Sequence, residues 1–407
     1  MSTFKVSVET LSKVWRHPNA DKLDLATLDG IDFQFVVGKD MFKAGDKVVY
    51  FPIDSILPEQ LIKDIAMEGK FSGSAKNRVK TIKLRKEISQ GYVEKLDSEK
   101  IASWFAKEKV NINALSQGDD LTKLFGVEKF DFEEHEKQTR FKSGHIGPRH
   151  LVKHLPGCEI YDIEGVQRNG KALEALKTSN VFITEKVEGT NFLIGSTSEG
   201  RIIHGQRSYT IKNWDDRGTF RKIIDFFKYK NPFYKGKPFT DPKLVDSDFR
   251  HIHTSTTIGL PNKLAALKAK YFKPEDFVVL RGELLGPSIQ KNVYAITEQT
   301  IYIFDIQVNG KYVSAADFIK FTKEFDIQTV PVLAYDVSLE TWLNGKTVVE
   351  AARGKSLVNV EGKASINPDH LREGIVIKPM IETTNDQLHG RLILKHRDAD
   401  YLDVTGL

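Results

Sequence analysis

The octapeptide Thr184-Glu185-Lys186-Val187-Glu188-Gly189-Thr190-Asn191 concentrates groups that could do chemistry. It follows a strand-like run, Val181-Phe182-Ile183. The Lys186 amine therefore stands near a strand end, with a carboxylate two residues on and a turn-prone glycine three residues on. A lysine at the mouth of a pocket becomes a nucleophile when desolvation or neighbouring cations favour its uncharged form. Strings of the form Lys-x-Glu-Gly also arise by chance, and most exposed lysines are simply solvated. The downstream segments must supply the rest.

Those segments set charged side chains on or beside further strand-like runs. Arg207 lies in Gly205-Gln206-Arg207-Ser208-Tyr209, and Glu283 in Arg281-Gly282-Glu283-Leu284-Leu285-Gly286-Pro287. Phe304 and Asp305 lie in Tyr302-Ile303-Phe304-Asp305-Ile306. Glu373 and Lys378 share Glu373-Gly374-Ile375-Val376-Ile377-Lys378-Pro379, and Lys395 lies in Leu392-Ile393-Leu394-Lys395-His396. Each alone fits a surface ion pair or a strand-end charge; their order carries the signal. Other echoes are loops or linkers. Gly345-Lys346-Thr347 and Gly354-Lys355-Ser356 lack the earlier glycine of a phosphate-binding loop, with Glu340 and Val349 in its place. His145, His150 and His154 have no carboxylate or cysteine spacing that would make a metal site. The cation–aromatic stretch 228–237 reads equally as a backbone clamp or a solvated connector.

The elements that must position these groups fall into three regions. Residues 1–100 alternate at period two in Lys5-Val6-Ser7-Val8-Glu9, Phe33-Gln34-Phe35-Val36-Val37 and Lys47-Val48-Val49-Tyr50-Phe51, the pattern of half-buried strands in a small barrel. Arg78-Val79-Lys80-Thr81-Ile82-Lys83-Leu84-Arg85 alternates cations with apolar residues, predicting a strand with one buried face and one that contacts phosphate or solvent. Residues 101–150 read as a charge-dense linker, and 151–407 as one larger unit. In that unit, helices are expected over 219–229, 262–271 and from Ser314 to about residue 325. A hairpin is expected at Asn309-Gly310, and late strands over 374–377 and 391–395. The composition, 40% hydrophobic and 28% charged, is that of a globular protein. The single cysteine, Cys158, excludes a disulfide framework and a cysteine zinc cluster. With no signal-peptide core or membrane-length apolar run, the expectation is a soluble cytoplasmic monomer. A net charge of +5 suits a polyanionic partner without requiring one.

Taken together, the motif phrases Glu-Lys-x-x-Gly-Thr-Asn-Phe, Gly-Glu-Leu-x-Gly-Pro-x-Ile-Gln and Tyr-x-Phe-Asp-Ile resemble the covalent nucleotidyltransferases. Within them the chain resembles ATP-dependent RNA ligases of the RNA ligase 2-like branch. His17-Pro18-Asn19-Ala20-Asp21-Lys22-Leu23 resembles a loop of OB-type tRNA-binding domains, although a plain turn fits it equally. An OB module ahead of the catalytic domain is the plan of the RNA ligase 5 family. The fold class implied is α+β, with an N-terminal β-barrel (OB-fold) followed by a nucleotidyltransferase domain of antiparallel sheets flanked by helices.

The resemblance also implies roles. Lys186 would form a lysyl-AMP from ATP, with Lys378 and Lys395 as nearby cations that favour its neutral amine. Glu283 and Glu373 would anchor Mg²⁺ or Mn²⁺. Glu185, Val187, Asn191 and Arg207 would surround the nucleotide, and Phe304 would stack on adenine. The partner would be RNA, a nicked duplex with a 3′-hydroxyl strand. Two positions depart from the family: Glu188, where histidine or aspartate is usual, and Ile393, in the first lysine slot of the last motif, so that Lys395 must act alone or Arg391 or His396 must compensate. An ATP-dependent DNA ligase, a GTP-using capping enzyme and a non-catalytic RNA-binding protein on this scaffold are the alternatives.

Overall fold

The computed structural model describes residues 4–130, 151–153, 155, 157–158, 160–207, 209–211, 247–358 and 366–406. His145, His150, His154, Ser208, the expected helix over 219–229 and the 228–237 stretch lie outside them. Two compact units emerge. One comprises Met1–Gly147, Val166–Lys171 and Gln387–His389; the other comprises Pro148–Gly165, Ala172–Asp386 and Gly390–Leu407. No helix among the described residues is long and apolar enough to cross a membrane.

In the first unit, β1 (Ser7–Arg16), β2 (Leu23–Leu28), β3 (Ile31–Gly38) and β4 (Lys47–Phe51) precede a hairpin of β5 (Thr81–Leu84) and β6 (Glu87–Gln90), then β7 (Tyr92–Lys95). The antiparallel sheet runs β3-β2-β1-β4-β7. It curls because β1 serves two neighbours: Ser7 to Thr10 pair with β4, and Leu11 to Arg16 with β2, with an irregular register between Leu11 and Lys13. Such a bulge bends the strand and increases its twist.

The strands were expected to be half-buried, yet Val48, Val49, Tyr50 and Phe51 are all buried. Val48 and Tyr50 join Leu11, Phe35 and Val93 inside the curl. Val49 and Phe51 face outward onto Ile101, Phe105, Leu121, Phe125 and Val127. The first part of the expected linker thus covers the outer face of this sheet. In β5 the reverse holds: all four residues are exposed, with only Val79 ahead of the strand buried.

Among the described residues the second unit holds two large sheets and a two-stranded ribbon of Thr384–Asn385 and Gly390–Arg391. The seven-stranded one runs β8 (Leu151–Lys153), β12 (Tyr209–Ile211), β11 (Ile202–Gly205), β10 (Thr190–Ser196), β13 (Val278–Leu285), β14 (Thr300–Val308) and β15 (Lys311–Tyr312). The five-stranded one runs from a short strand, Glu164–Gly165, through β18 (Leu394–Arg397), β17 (Gly374–Pro379) and β9 (Asn180–Lys186) to β16 (Val332–Ser338). Phe182 of β9 packs with Phe192, Leu280 and Ile303 of the larger sheet, beneath helices Leu260–Tyr271 and Ala315–Glu324. Asn309 (φ 49°) and Gly310 (φ 82°) both adopt the left-handed backbone that a two-residue hairpin between β14 and β15 requires. Ser314 caps the helix it precedes by accepting the Asp317 N–H at 3.1 Å.

Candidate active site

Val187, Glu188 and Gly189 are the whole connection between β9 in one sheet and β10 in the other. A three-residue crossing between sheets demands close packing. A Cβ on Gly189 would stand 2.5 Å from the Leu284 carbonyl oxygen and 2.8 Å from Cγ of Glu283, so only glycine lets β13 approach. The crossing is pinned by the Glu188 N–H, which donates to the buried Tyr294 hydroxyl at 2.8 Å. Val187 is buried beside Tyr294, Leu285 and Val358.

Registers across the smaller sheet place the charges. Lys186 lies opposite Gly374, which lies opposite Arg397; one step along, Thr184, Val376 and Lys395 form the next same-face row. Because side chains alternate, Lys186, Lys395 and Arg397 share one face, while Glu185, Ile375 and His396 share the other. Gly374 leaves the middle of the first row empty. The Lys186 amine bonds both Glu373 carboxylate oxygens at 2.8 Å, and Arg397 Nε donates to one of them at 2.9 Å. A Cβ at residue 374 would collide with the His396 carbonyl oxygen. Gly374→Ala is therefore expected to cost about 1–3 kcal/mol of stability through backbone overpacking, read as a lowered thermal midpoint.

Electrostatics separate the three carboxyls. Burial alone would raise Glu373, but Lys186 and Arg397 outweigh it and hold the group below its usual range, with Glu188 also hydrogen-bonded to it. Glu188 moves the other way: burial and then the Glu373 charge push it up to about 7. Glu283 is pushed up to about 8, chiefly by burial, with Lys186 and Lys395 opposing and Glu373 and Glu188 reinforcing. Burial brings the Lys395 amine down to about 8.

Among the described residues no group of three or more His, Cys, Asp or Glu side chains is arranged to hold a metal ion. Magnesium needs fewer, since it keeps several waters and takes one or two carboxylates plus phosphate oxygens. Glu283 and Glu373 fit that requirement. Burial disfavours the charged forms of Glu283 and Glu188, a cost that a hard cation bound beside them would offset. Asn191, directly across from Glu283, adds an amide oxygen that is buried with no hydrogen-bond partner among the described residues.

The remaining candidates are placed as follows. Glu185, 1% exposed, accepts from the Ser356 hydroxyl and from the Leu357 N–H at 2.8 Å. Arg207 donates to Asp162 at 3.0 Å, and the same carboxylate is 4.0 Å from the Lys395 amine. Phe304 is half-buried, with the Tyr161 ring 4.9 Å away. Lys378 does not join the Lys186 cluster. It sits opposite Phe182, four residues or about 13 Å along the ladder. Its amine bonds buried Asp305 at 2.7 Å, which also accepts from Tyr161 at 2.8 Å and Arg391 at 2.9 Å.

Sequence reasoning missed Arg397. Lys395 was expected to act alone or with help from Arg391 or His396. Arg391 is committed to Asp305 and Glu382, and His396 is buried on the opposite face with its pKa brought down to about 4 by burial. The second cation is Arg397, two residues past Lys395, and the Lys-x-Arg spacing was its available signal.

The RNA ligase family model matches residues 179–396, more than half of the chain, and an OB-fold domain model matches residues 5–96. Several solved structures of Naegleria gruberi RNA ligase are similar to this chain over nearly its full length. A mutant in apo form has TM-score 0.66 and 20% identity, covering 99% of this chain and 98% of that one. A mutant with ATP and Mn has TM-score 0.67 and 20% identity, covering 98% of each. The enzyme with PPi has TM-score 0.64 and 20% identity, covering 98% and 97%. No curated protein matches the chain.

Proposed function

Since this chain belongs to the RNA ligase family, we propose that it uses ATP to join RNA 3′-hydroxyl and 5′-phosphate ends, acting at nicks in a duplex. The observation that carries this reading is the Lys186 amine held on Glu373, flanked by Arg397 on the same carboxylate. In the first step the uncharged Lys186 amine attacks the α-phosphorus of ATP. An N–P bond forms, the bond to pyrophosphate breaks and the amine gives up a proton. An oxygen of the RNA 5′-phosphate then attacks that phosphorus, breaking the N–P bond and leaving an AMP-capped end. Finally the 3′-hydroxyl attacks the capped phosphate and AMP departs.

Glu373 and Arg397 orient Lys186, and Lys395 and Arg207 offer charge to phosphate oxygens, where positioning and electrostatics dominate phosphoryl transfer. Glu283 and Glu373, with Asn191, would hold Mg²⁺ or Mn²⁺, which supplies positive charge to the transferring phosphoryl group. Phe304 would stack on adenine in a pocket that includes Val187 and Glu185. Lys378 would act from a distance, holding Asp305 and hence the strand that carries Phe304.

The N-terminal unit would bind the strand supplying the 3′-hydroxyl. Its β5–β6 hairpin supports this: Ile82 and Leu84 are exposed at 39% and 37%, among Lys80, Lys83, Arg85 and Lys86. Arg85 (φ 48°) and Lys86 (φ 76°) occupy a tight turn whose backbone favours Asn-Gly. His17 Nε2 fixes the hairpin through the Leu84 carbonyl at 3.1 Å. Replacing Lys83, Arg85 and Lys86 by alanine is expected to weaken RNA binding. Each lost phosphate contact should flatten the log–log salt dependence by about 0.7–0.9, with labelling by ATP unchanged.

The test is sealing. With ATP and Mg²⁺, a nicked RNA duplex should be joined, and a nick ending in a 3′-deoxynucleotide should accumulate the AMP-capped strand. Equal sealing of an all-DNA nick would indicate a DNA ligase. RNA binding with neither capping nor joining would leave a non-catalytic protein and overturn the proposal.

A further inference from the structure

Residues 161 and 162 reach the site from the stretch ahead of Glu164–Gly165, and the proposed chemistry leaves Asp162 without a role. Tyr161 is fixed firmly. Its hydroxyl donates to buried Asp305 at 2.8 Å, and its ring lies 4.9 Å from Phe304 and 5.8 Å from Tyr312. That anchor sets the next residue in place. The Asp162 carboxylate accepts from Arg207 at 3.0 Å through one oxygen and stands 4.0 Å from the Lys395 amine through the other. The second oxygen also accepts the Ile163 N–H at 3.0 Å. All three side chains are partly open to solvent: Asp162 at 41%, Arg207 at 44% and Lys395 at 33%.

A carboxylate spanning a guanidinium and an amine presents two oxygens to two cations, as a phosphate group would. Two features make it displaceable. Open ion pairs are worth at most about 1 kcal/mol, and a triphosphate brings more charge and more oxygens to the same pair. We propose that Asp162 is an internal placeholder, holding Arg207 and Lys395 in position and being displaced from them by the phosphates of the incoming nucleotide. This inference rests on the reading of those two cations as phosphate-binding groups. It assigns Asp162 a setting role over nucleotide affinity rather than a catalytic one. Releasing the cations from their internal anion should tighten nucleotide binding, because the phosphates no longer compete with it.

The experiment measures the initial rate of protein labelling from α-labelled ATP with Mg²⁺ as ATP is varied. It compares the full chain with Asp162→Asn and Asp162→Ala, and records the inhibition of each by inorganic pyrophosphate. The expected result is a half-saturating ATP concentration lowered about two- to five-fold, the range set by an open ion pair. Pyrophosphate inhibition should tighten by a similar factor, with the limiting rate within two-fold of the parent. Arg207→Ala should raise the half-saturating concentration and erase the gain from Asp162→Asn in the double variant. An unchanged or raised half-saturating concentration in both Asp162 variants, with the parent labelled normally, overturns the placeholder alone. A folded parent that takes up no label overturns the ligase reading and this inference with it. A merely structural Asp162 would lower the limiting rate and the thermal midpoint while leaving pyrophosphate affinity in place.

Discussion

Glu373→Gln is expected to slow self-adenylylation by about 10²–10³-fold, a size typical of losing one preorganised charged contact in a phosphoryl- or acyl-transfer site. Glu373 is 1% exposed, and its two oxygens bond the Lys186 amine and Arg397 Nε at 2.8–2.9 Å. Glutamine keeps the shape and one acceptor but no charge. One donor then loses its partner, and neither cation is neutralised. The surplus charge should also cost stability, by about 1–3 kcal/mol for a buried group left without its partner. Single-turnover labelling together with a thermal melt separates the two effects. A folded glutamine variant labelled at the parent rate would remove Glu373 from the chemistry.

Arg397→Ala should slow the same step by about 10- to 100-fold, the worth of a charge-assisted hydrogen bond of about 1.5–3 kcal/mol. It should also move the pH profile, and the sign follows from the carboxylate. Burial favours the neutral Glu373 carboxyl; Lys186 and Arg397 together pull its pKa below the usual value. Without Arg397 the pKa rises, so the ionised form is lost sooner as the pH falls. The acid limb of the single-turnover rate therefore shifts to higher pH. Arg397→Lys restores a charge and should recover part of both effects. A variant labelled at the parent rate with an unmoved acid limb would mean that Arg397 acts only in the later steps on RNA.

Arg397 also shows where the sequence stops being informative. Around residue 394 the chain reads Arg-Leu-Ile-Leu-Lys-His-Arg, and three consecutive apolar residues give no alternation from which to set the strand frame. A strand over 391–395 was expected, but the ladder forms over Leu394–Arg397. Arg391 is drawn instead into the ion pair with Glu382 and Asp305. That shift brings Arg397 onto the face of Lys186. The partners of Asp305 were equally hidden: nothing local in Ile-Phe-Asp-Ile says that a lysine 73 residues on and a tyrosine 144 residues back will meet it.

Other features were legible because their causes are local. The Asn309-Gly310 turn and the Ser314 cap each depend on a few adjacent residues. The both-sided burial of β4 was not, because beyond the nearer Leu57, Leu61 and Ile65 much of the cover for its outer face, from Ile101 to Val127, comes from a distant part of the chain.

Peptide mapping of the protein after incubation with α-labelled ATP and Mg²⁺ tests the account most directly. The prediction is one AMP per chain, carried on Lys186 through a nitrogen–phosphorus bond that mild acid cleaves and alkali spares, and absent from Lys186→Ala. AMP on any other residue, an acid-stable linkage, or a folded protein that acquires no AMP would contradict it.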